Sequence, residues 1–299
     1  MRIAIVIASV GRAEACAHAV KSIQRSAVEA AVEFEGIVSV PAVEDAPREL
    51  PPEWRLEIGA RGASAQRNAA CRTVDLRAEI VFFFDDDVLI REDYISVICA
   101  YMTLHTTVVA VTGGLLADGA RERREIPVGE AGALLEVSWN AHPRGGIVIG
   151  SPHRELYGCN MAVRWAVAQR YPFDERLPLY SWLEDLDLAR RICVEGEISQ
   201  VHAAIAVHRG SAAGGRAAHL RFGYSQVANP LWLREKGSLG ASSATVHILR
   251  PVMKNTLFAM IPSTSTGWRR TRLRGNLQAA IDVLRNGGRA RPERILDLD

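Results

Sequence analysis

The chain has 299 residues, of which 48% are hydrophobic and 23% charged, and its formal net charge is +2. This is the composition of an ordinary soluble protein with one large domain, or one domain with an appendage. No membrane span is expected, because no run of 18 apolar residues occurs. The charge is unevenly divided. Residues 216–299 hold 14 Lys and Arg against 5 Asp and Glu, a net of +9, whereas residues 1–215 have a net of −7. This asymmetry predicts a basic appendage that faces an anionic partner.

The first 215 residues alternate between short apolar runs and helical patterns. In chain order the pattern predicts a strand at residues 2–8, a helix at 13–30, a strand at 34–40, a helix from 62 to 74, and strands at 79–84 and 108–114. Such alternation indicates an α/β fold with a mostly parallel central sheet. Ligands of these sheets bind at the carboxyl ends of the strands. The apolar start of the chain is interpreted as the first strand, not as a signal peptide.

The remaining residues, 216–299, are predicted to form a mainly helical extension. Its segment 267–288 places Leu273, Leu277, Ile281 and Leu284 at helical spacing among several arginines. A basic amphipathic helix of this kind can lie on an anionic membrane surface, or its apolar stripe can pack on the rest of the protein. The sequence leaves both alternatives open. Nucleic acid is not expected as a partner, because no aromatic and basic binding motif is present.

Three adjacent aspartates, Asp85, Asp86 and Asp87, directly follow the apolar strand "VFFF". Neighbouring carboxylates repel one another, so a buried strand that ends in this way needs a positive partner. Mn²⁺ or Mg²⁺ bound together with diphosphate oxygens would provide that charge. The alternative is an acidic turn in contact with water. An aspartyl phosphatase is disfavoured, because Leu89 stands where its motif requires Thr or Val.

A second acidic cluster lies in "YSWLEDLDLARRI", where Glu184 and Asp185 precede an apolar helical stripe. Acidic residues in the first turn of a helix are favourable for the helix dipole, which is one interpretation of this pair. The other interpretation is that one carboxylate points into a cleft and accepts a proton from a hydroxyl group. Trp182 is a candidate platform for a sugar ring. Arg67, near the start of a helix, suits a diphosphate, and His208 is a candidate third metal ligand.

Taken in order, "VIASVGR", "GASAQRN", "VFFFDDDV", "YGCNMAVRW", "FDERLPLYSWLEDLDLARR" and "VHRG" resemble the family 2 glycosyltransferases of GT-A fold over residues 3–225. The resemblance implies inverting transfer of a sugar, of the hexosyltransferase type, from a nucleotide diphosphate donor to a hydroxyl acceptor. It implies Mn²⁺ or Mg²⁺ at Asp85, Asp87 and His208, and Asp185 of the pair with Glu184 as the general base. It further implies a donor site at Ala8, Ser9, Arg12, Gln66, Arg67, Asn68, Asp85, Asp86, Gly158 and Asn160, and an acceptor site at Arg176, Tyr180 and Trp182.

The acceptor expected from this resemblance is a saccharide or a lipid-linked sugar, in the biosynthesis of a polysaccharide or glycolipid. The family's second strand usually ends in an Asp that reads the nucleotide base, and here only Glu44 or Asp45 could serve. Two other functions remain as alternatives, a sugar nucleotidyltransferase and a non-catalytic nucleotide-sugar-binding protein. The five scattered cysteines favour a cytoplasmic location, with peripheral contact at the inner face of the membrane as a further expectation.

Overall fold

The structure, a computed structural model, describes residues 1–141, 143, 150–210, 217–260 and 267–298. The strands are β1 (Arg2–Ala8), β2 (Glu33–Val40), β3 (Trp54–Ile58), β4 (Ile80–Asp85), β5 (Val88–Ile90), β6 (Val108–Asp118), β7 (Gly150–His153), β8 (Asn160–Arg164) and β9 (Glu197–His208). The helices are α1 (Ala13–Glu29), α2 (Ala63–Cys71), α3 (Tyr94–Leu104), α4 (Gly119–Glu122), α5 (Val128–Val137), α6 (Trp165–Arg170), α7 (Glu184–Ile192), α8 (His219–Glu235), α9 (Ala241–Ala259) and α10 (Trp268–Arg285).

All the strands named above belong to one sheet, in the order β3-β2-β1-β4-β8-β6-β9-β5, with β7 also paired to β9. Strands β3, β2, β1, β4, β6 and β9 run in one direction, whereas β5, β7 and β8 run in the other. The mostly parallel α/β sheet predicted from the sequence is therefore confirmed. Helices lie on both faces of the sheet, as the alternation of elements predicts.

The central strands are buried on both faces, and this explains their unbroken apolar runs. In β1, Ile5 packs into the layer that contains Phe84 and helix α1, whereas the adjacent Val6 packs with Phe83 into the opposite layer. Because successive side chains of a strand point to opposite faces, both layers need apolar residues. The polar residues that follow β1 and β4 are thereby confined to the carboxyl edge of the sheet.

Helices α8, α9 and α10 pack against one another beyond residue 217. The face of α10 that is buried contains Arg269, Gly275, Asn276 and Ala279. The apolar stripe predicted for this helix points elsewhere, since Leu277, Ile281 and Leu284 are 56%, 45% and 80% exposed. The alternative that the stripe packs on the rest of the protein is therefore wrong for these three residues. Their place is taken by small and hydrogen-bonded side chains, which allow two helix backbones to approach closely.

The predicted domain boundary at residues 215 and 216 lies outside the described residues, so the division into a domain at 1–215 and an extension at 216–299 stays a prediction. No helix in the described ranges combines the length and the apolar character that crossing a bilayer requires.

Gly275→Ala tests the close crossing of α8 and α10. A methyl group at this position would overlap the backbone oxygen of Leu220 and lie 2.7 Å from the backbone nitrogen of Tyr224. We expect the free energy of unfolding to fall by about 2–3 kcal/mol, because packed backbones cannot move aside at low cost. The matched control is Gly132→Ala in α5, where no heavy atom lies within 4 Å of the new methyl group. It should be neutral or slightly stabilising, and equal stability of the two variants in urea unfolding would contradict this packing.

Candidate active site

The carboxyl ends of β1, β4 and β9 form one edge of a pocket of about 530 Å³. Strand register brings the polar residues there together, because Ala8 pairs with Asp85 across β1 and β4, and Asp118 pairs with His208 across β6 and β9. The pocket is within the size range typical of small-molecule sites. Its lining includes most of the predicted site residues: Ala8, Ser9, Arg12, Gln66, Arg67, Asp85, Gly158, Tyr180, Trp182, Glu184, Asp185 and His208.

Each of the three adjacent aspartates meets its own cationic side chain. Asp85 Oδ1 lies 3.0 Å from Arg67 Nη2, Asp86 Oδ1 lies 2.5 Å from Arg12 Nη2, and Asp87 Oδ1 lies 3.2 Å from His208 Nε2. Protein side chains therefore supply part of the positive charge that this triplet needs, beside any metal ion. The partners come from α2, the loop before α1 and the end of β9, which sequence spacing could not bring together.

Asp86 is the most enclosed of the three and organises the loop after β1. It is fully buried, accepts a hydrogen bond of 2.6 Å from the Ser9 hydroxyl, and accepts one of 3.0 Å from Arg12 Nε. Burial raises the pKa of Asp86 to about 7, although Arg12 opposes this shift. Through these contacts Asp86 holds the side chains of Ser9 and Arg12 at the wall of the pocket.

Asp85, Asp87 and His208 form a cluster that could hold a metal ion, as the sequence predicts. One potential ligand atom of each lies within 4.8 Å of the other two. Two carboxylates and an imidazole suit Mn²⁺ well and Mg²⁺ less well, because Mg²⁺ prefers oxygen ligands. His208 Nδ1 is 2.9 Å from Asp118 Oδ1, so its Nε2 is directed towards the two aspartates. A carboxylate that orients a histidine in this way is a common feature of metal sites.

The protonation of His208 follows from the same contacts. Burial by itself would lower the pKa of this imidazole, but hydrogen bonds to Asp118 and Asp87 outweigh burial and raise the pKa to about 10. Asp118 in turn accepts a hydrogen bond of 2.6 Å from the Tyr157 hydroxyl. In the protein alone, imidazolium supplies positive charge between the carboxylates. A metal ion at this position would replace the proton on Nε2.

Arg67 connects the metal cluster to the second acidic pair. Its buried guanidinium donates hydrogen bonds to Glu184 Oε1 at 2.7 Å, to Asp85 Oδ1 at 3.0 Å and to the Gly158 carbonyl at 3.0 Å. The sequence suggested that Arg67 binds a diphosphate, but the structure engages it with carboxylates. Arg67 is therefore a positioning residue at the floor of the pocket.

Glu184 and Asp185 both enter the pocket from the first turn of α7. Asp185 accepts hydrogen bonds from the backbone N–H of Gly158 at 2.9 Å and of Leu186 at 2.7 Å. Burial raises the pKa of both carboxyls, that of Glu184 to about 8, where the charge of Asp185 adds to the effect. Glu184 is bonded to the cationic Arg67, whereas Asp185 accepts from two backbone amides.

The loop before this pair is strained, which the sequence did not indicate. Leu179, Ser181 and Leu183 have φ values of 59°, 53° and 74°, a region that residues other than glycine seldom occupy. The start of α2 supports this loop, because the N–H of Ala63 donates to the Leu179 carbonyl at 2.8 Å and the N–H of Ser64 donates to Ser181 Oγ at 3.2 Å. These two amides of the helix terminus therefore hold the loop instead of a phosphate.

The mouth of the pocket has an aromatic wall. Trp182 lies 5.9 Å from Phe222 and 6.4 Å from His247 between ring centroids, and Tyr180 lies 5.6 Å from Phe222. Phe222 belongs to α8 and His247 to α9. Sequence analysis missed both, because neither lies in a recognisable motif and only the packing of the C-terminal helices brings them to the pocket.

Besides the buried Asp86 and Asp87, three predicted site residues do not line the pocket. The Asn68 amide exchanges hydrogen bonds of 2.9 Å with the backbone of Phe173, since neighbouring residues of a helix point about 100° apart and Arg67 takes the pocket side. Arg176 is 3.1 Å from Glu293 and stacks on Trp232. Asn160 is fully buried and accepts a hydrogen bond from Thr112.

Two other polar residues hold the backbone at the ends of β1 and β2. Gln66 Nε2 donates to the carbonyls of Ser9 at 2.8 Å and Ser39 at 2.6 Å. Asp45, one of the two candidates for reading a nucleotide base, accepts a hydrogen bond of 2.7 Å from the backbone N–H of Gly11. Both residues therefore shape the loops that border the pocket.

Comparison with solved structures supports this description of the fold. The mannosyltransferase PcManGT from Pyrobaculum calidifontis, in complex with GDP-Man and Mn²⁺, superposes with a TM-score of 0.58 at 14% identity, over 94% of this chain and 87% of that chain. S. aureus TarS 1-349 superposes with a TM-score of 0.50 at 12% identity, over 96% of this chain and 74% of that chain. No family model and no curated protein matches the sequence. The likeness shows that the expected GT-A fold is present.

Arg12→Gln tests the pairing of Asp86. Removing the guanidinium leaves a buried carboxylate without its cation, which typically costs about 3–5 kcal/mol. We expect a loss of about 3 kcal/mol in the free energy of unfolding, measured by urea denaturation at pH 9, above the raised pKa of Asp86. The control is Arg72→Gln, whose side chain is 66% exposed and 3.8 Å from Glu175; it should change stability little. A similar small change for Arg12→Gln would contradict the pairing.

Proposed function

We propose that this protein is a metal-dependent inverting glycosyltransferase of family 2, which moves a sugar from a nucleotide diphosphate donor to a hydroxyl group. The observation that carries the proposal is the link through Arg67. It joins Asp85 of the metal cluster to Glu184, the neighbour of the candidate base, inside one pocket. The presence of GDP-Man and Mn²⁺ in the structurally similar PcManGT is consistent with this proposal.

The donor is proposed to lie along the carboxyl ends of β1 and β4. Ala8, Ser9 and Arg12 line the pocket beside Asp85, and Gly158 faces the two carboxylates of α7. Asp85, Asp87 and His208 would hold Mn²⁺ or Mg²⁺. When bound, the ion would offset the charge of the diphosphate leaving group. Arg12 already forms salt bridges with Asp86 and Asp87. Its proposed role in donor binding is therefore to shape the pocket wall next to the phosphates.

In the proposed reaction the acceptor hydroxyl attacks the anomeric carbon of the donor sugar. A new carbon–oxygen bond forms on one face as the bond to the diphosphate breaks on the other, so the anomeric configuration inverts. Asp185 takes the hydroxyl proton, and its hydrogen bonds from Gly158 and Leu186 hold the carboxylate in place for this transfer. Proton acceptance of this kind typically accelerates a reaction by ~10²–10⁴-fold.

The acceptor is proposed to rest on the aromatic wall formed by Tyr180, Trp182 and Phe222. Aromatic faces pack well against the apolar faces of sugar rings, and all three residues line the pocket. Since Phe222 lies in the C-terminal region, residues 216–299 would complete the acceptor side of the site. A saccharide or lipid-linked acceptor in polysaccharide or glycolipid synthesis fits this wall. A reducing cytoplasmic compartment is supported by five free cysteine thiols.

Donor binding is predicted to need a divalent cation. Titration of GDP and UDP by calorimetry should show tight binding in Mn²⁺ and at least tenfold weaker binding in EDTA, because the ion bridges the diphosphate and the protein. Asp87→Asn should remove the effect of Mn²⁺, whereas Glu92→Gln, at an exposed position in the next loop, should not. Equal affinity in Mn²⁺ and EDTA would refute the metal site.

Asp185→Asn is predicted to keep Mn²⁺-dependent nucleotide binding and to lower turnover by at least 10²-fold. Turnover can be followed as release of nucleoside diphosphate from GDP-mannose and UDP-N-acetylglucosamine with a panel of simple glycoside acceptors. Glu184→Gln is the matched comparison, since it removes the neighbouring carboxylate that bonds Arg67. Near-normal turnover of Asp185→Asn together with an inactive Glu184→Gln would show that Glu184 is the base.

A further inference from the structure

Helix α9 exposes a narrow apolar stripe that the sequence pattern did not single out. Val246, Leu249, Met253, Leu257 and, just after the helix, Met260 are 49–76% exposed. Their spacing of three or four residues places them within an arc of about 80° on the helix surface. Single exposed apolar residues need no explanation, but a contiguous row on one face usually marks a contact with another surface.

The opposite side of α9 is the one that packs on the protein. Asn255 lies about 160° around the helix from the middle of the stripe and is buried. Its amide donates to Gln226 at 2.8 Å and to Asn276 at 2.9 Å, and Arg269 donates to its oxygen at 3.0 Å. These polar contacts fix the helix with its apolar row outward. Burying the stripe against the protein would require breaking this network.

Helix α10 repeats the arrangement. Its exposed residues Leu277, Ile281 and Leu284 lie on the face opposite Gly275 and Ala279, which pack inward. Exposed Arg274 and Arg285 lie on the same outward face. Both helices of this region therefore present apolar and basic side chains to the outside.

The charge beside the stripe of α9 has one sign. Arg250 and Lys254 flank the row and are exposed, and the helix contains no Asp or Glu. The positive charge of Arg123, with smaller contributions from burial, Arg269 and Arg250, lowers the pKa of Lys254. This surface is thus apolar along its centre and cationic along its side, and nearby charges reinforce its positive potential.

We propose that this outward face of α9 binds the surface of an anionic lipid bilayer. The aliphatic row would enter the boundary between headgroups and acyl chains, while Arg250 and Lys254 would meet lipid phosphates. A second copy of the chain fits less well. In a symmetric dimer the same patch meets itself, so the interface would contain Arg250 and Lys254 of both copies with no carboxylate of α9 to pair with them. The surface therefore matches an anionic partner with an apolar interior.

Membrane binding by α9 would also affect which acceptors can reach the pocket. His247 lies on α9 about 120° from the stripe and lines the pocket beside Trp182. A protein held by this face would keep its pocket close to the bilayer, which suits an acceptor attached to a lipid. This consequence rests on the proposed function, whereas membrane binding by α9 does not, and the experiment below requires no activity.

Flotation of the full-length protein with vesicles tests the proposal. Binding to vesicles of phosphatidylcholine and phosphatidylglycerol is expected at low salt and should decrease as salt is added, with little binding to phosphatidylcholine alone. The combined variant Leu249→Ser, Met253→Ser, Leu257→Ser should lower the partition coefficient more than tenfold. Arg250→Gln with Lys254→Gln should lower it by tenfold or more, since each cation near an anionic bilayer contributes about fivefold.

The control variants change residues elsewhere that are at least as exposed as those of the stripe. Leu76→Ser, Leu104→Ser and Val194→Ser remove apolar side chains that are 77–79% exposed, and Arg48→Gln with Arg72→Gln removes two exposed cations. Both controls should float like the unchanged protein, and equal thermal melting of all variants by circular dichroism confirms folding. Three results would overturn the proposal: no flotation at low salt, equal losses in stripe and control variants, or a dimer in sedimentation velocity that the stripe variant dissociates.

Discussion

The buried guanidinium of Arg67 is the interaction on which the site depends. Taking a charged group out of water costs several kcal/mol, and the structure offsets this cost with two carboxylates and a carbonyl. Because the guanidinium is rigid and planar, it fixes Asp85 and Glu184 at a set distance from each other. In the proposed function this distance sets the position of the metal-bound diphosphate relative to the residue that accepts the proton. Small displacements of such groups have large effects on rate.

The strained loop before α7 also holds residues of the site in fixed positions. Three non-glycine residues, Leu179, Ser181 and Leu183, adopt positive φ values, each costing about 1–3 kcal/mol. The first amides of α2 bind this loop, and Gly62, with φ of 106°, lies so close that a methyl group there would come within 2.7 Å of the Leu179 nitrogen. The helix that carries Arg67 therefore also sets the loop that carries Trp182. Strain in this loop and the buried charge of Arg67 both favour a preorganised pocket.

The sequence predicted the parts of the site that depend on local pattern. Continuous apolar runs predicted strands buried on both faces, so Asp85 and Asp87 were correctly placed at the carboxyl edge of the sheet with His208. It could not predict that Arg12 and Arg67 neutralise the aspartates, because such pairs depend on tertiary packing. Asn68 was misplaced because its side chain diverges from that of Arg67 on the same helix. The stripe of α10 was located correctly, but the sequence could not show that Gly275 and Asn276 form the packing face.

The most direct test of the central claim is a crystal structure of the protein with Mn²⁺ and a nucleoside diphosphate, examined by anomalous scattering from the metal. We expect one strong anomalous peak in contact with Asp85, Asp87 and His208, with a phosphate oxygen among its ligands and Arg67 still bonded to Asp85 and Glu184. A peak at other residues, or a nucleotide bound in the pocket with no metal at saturating Mn²⁺, would contradict it.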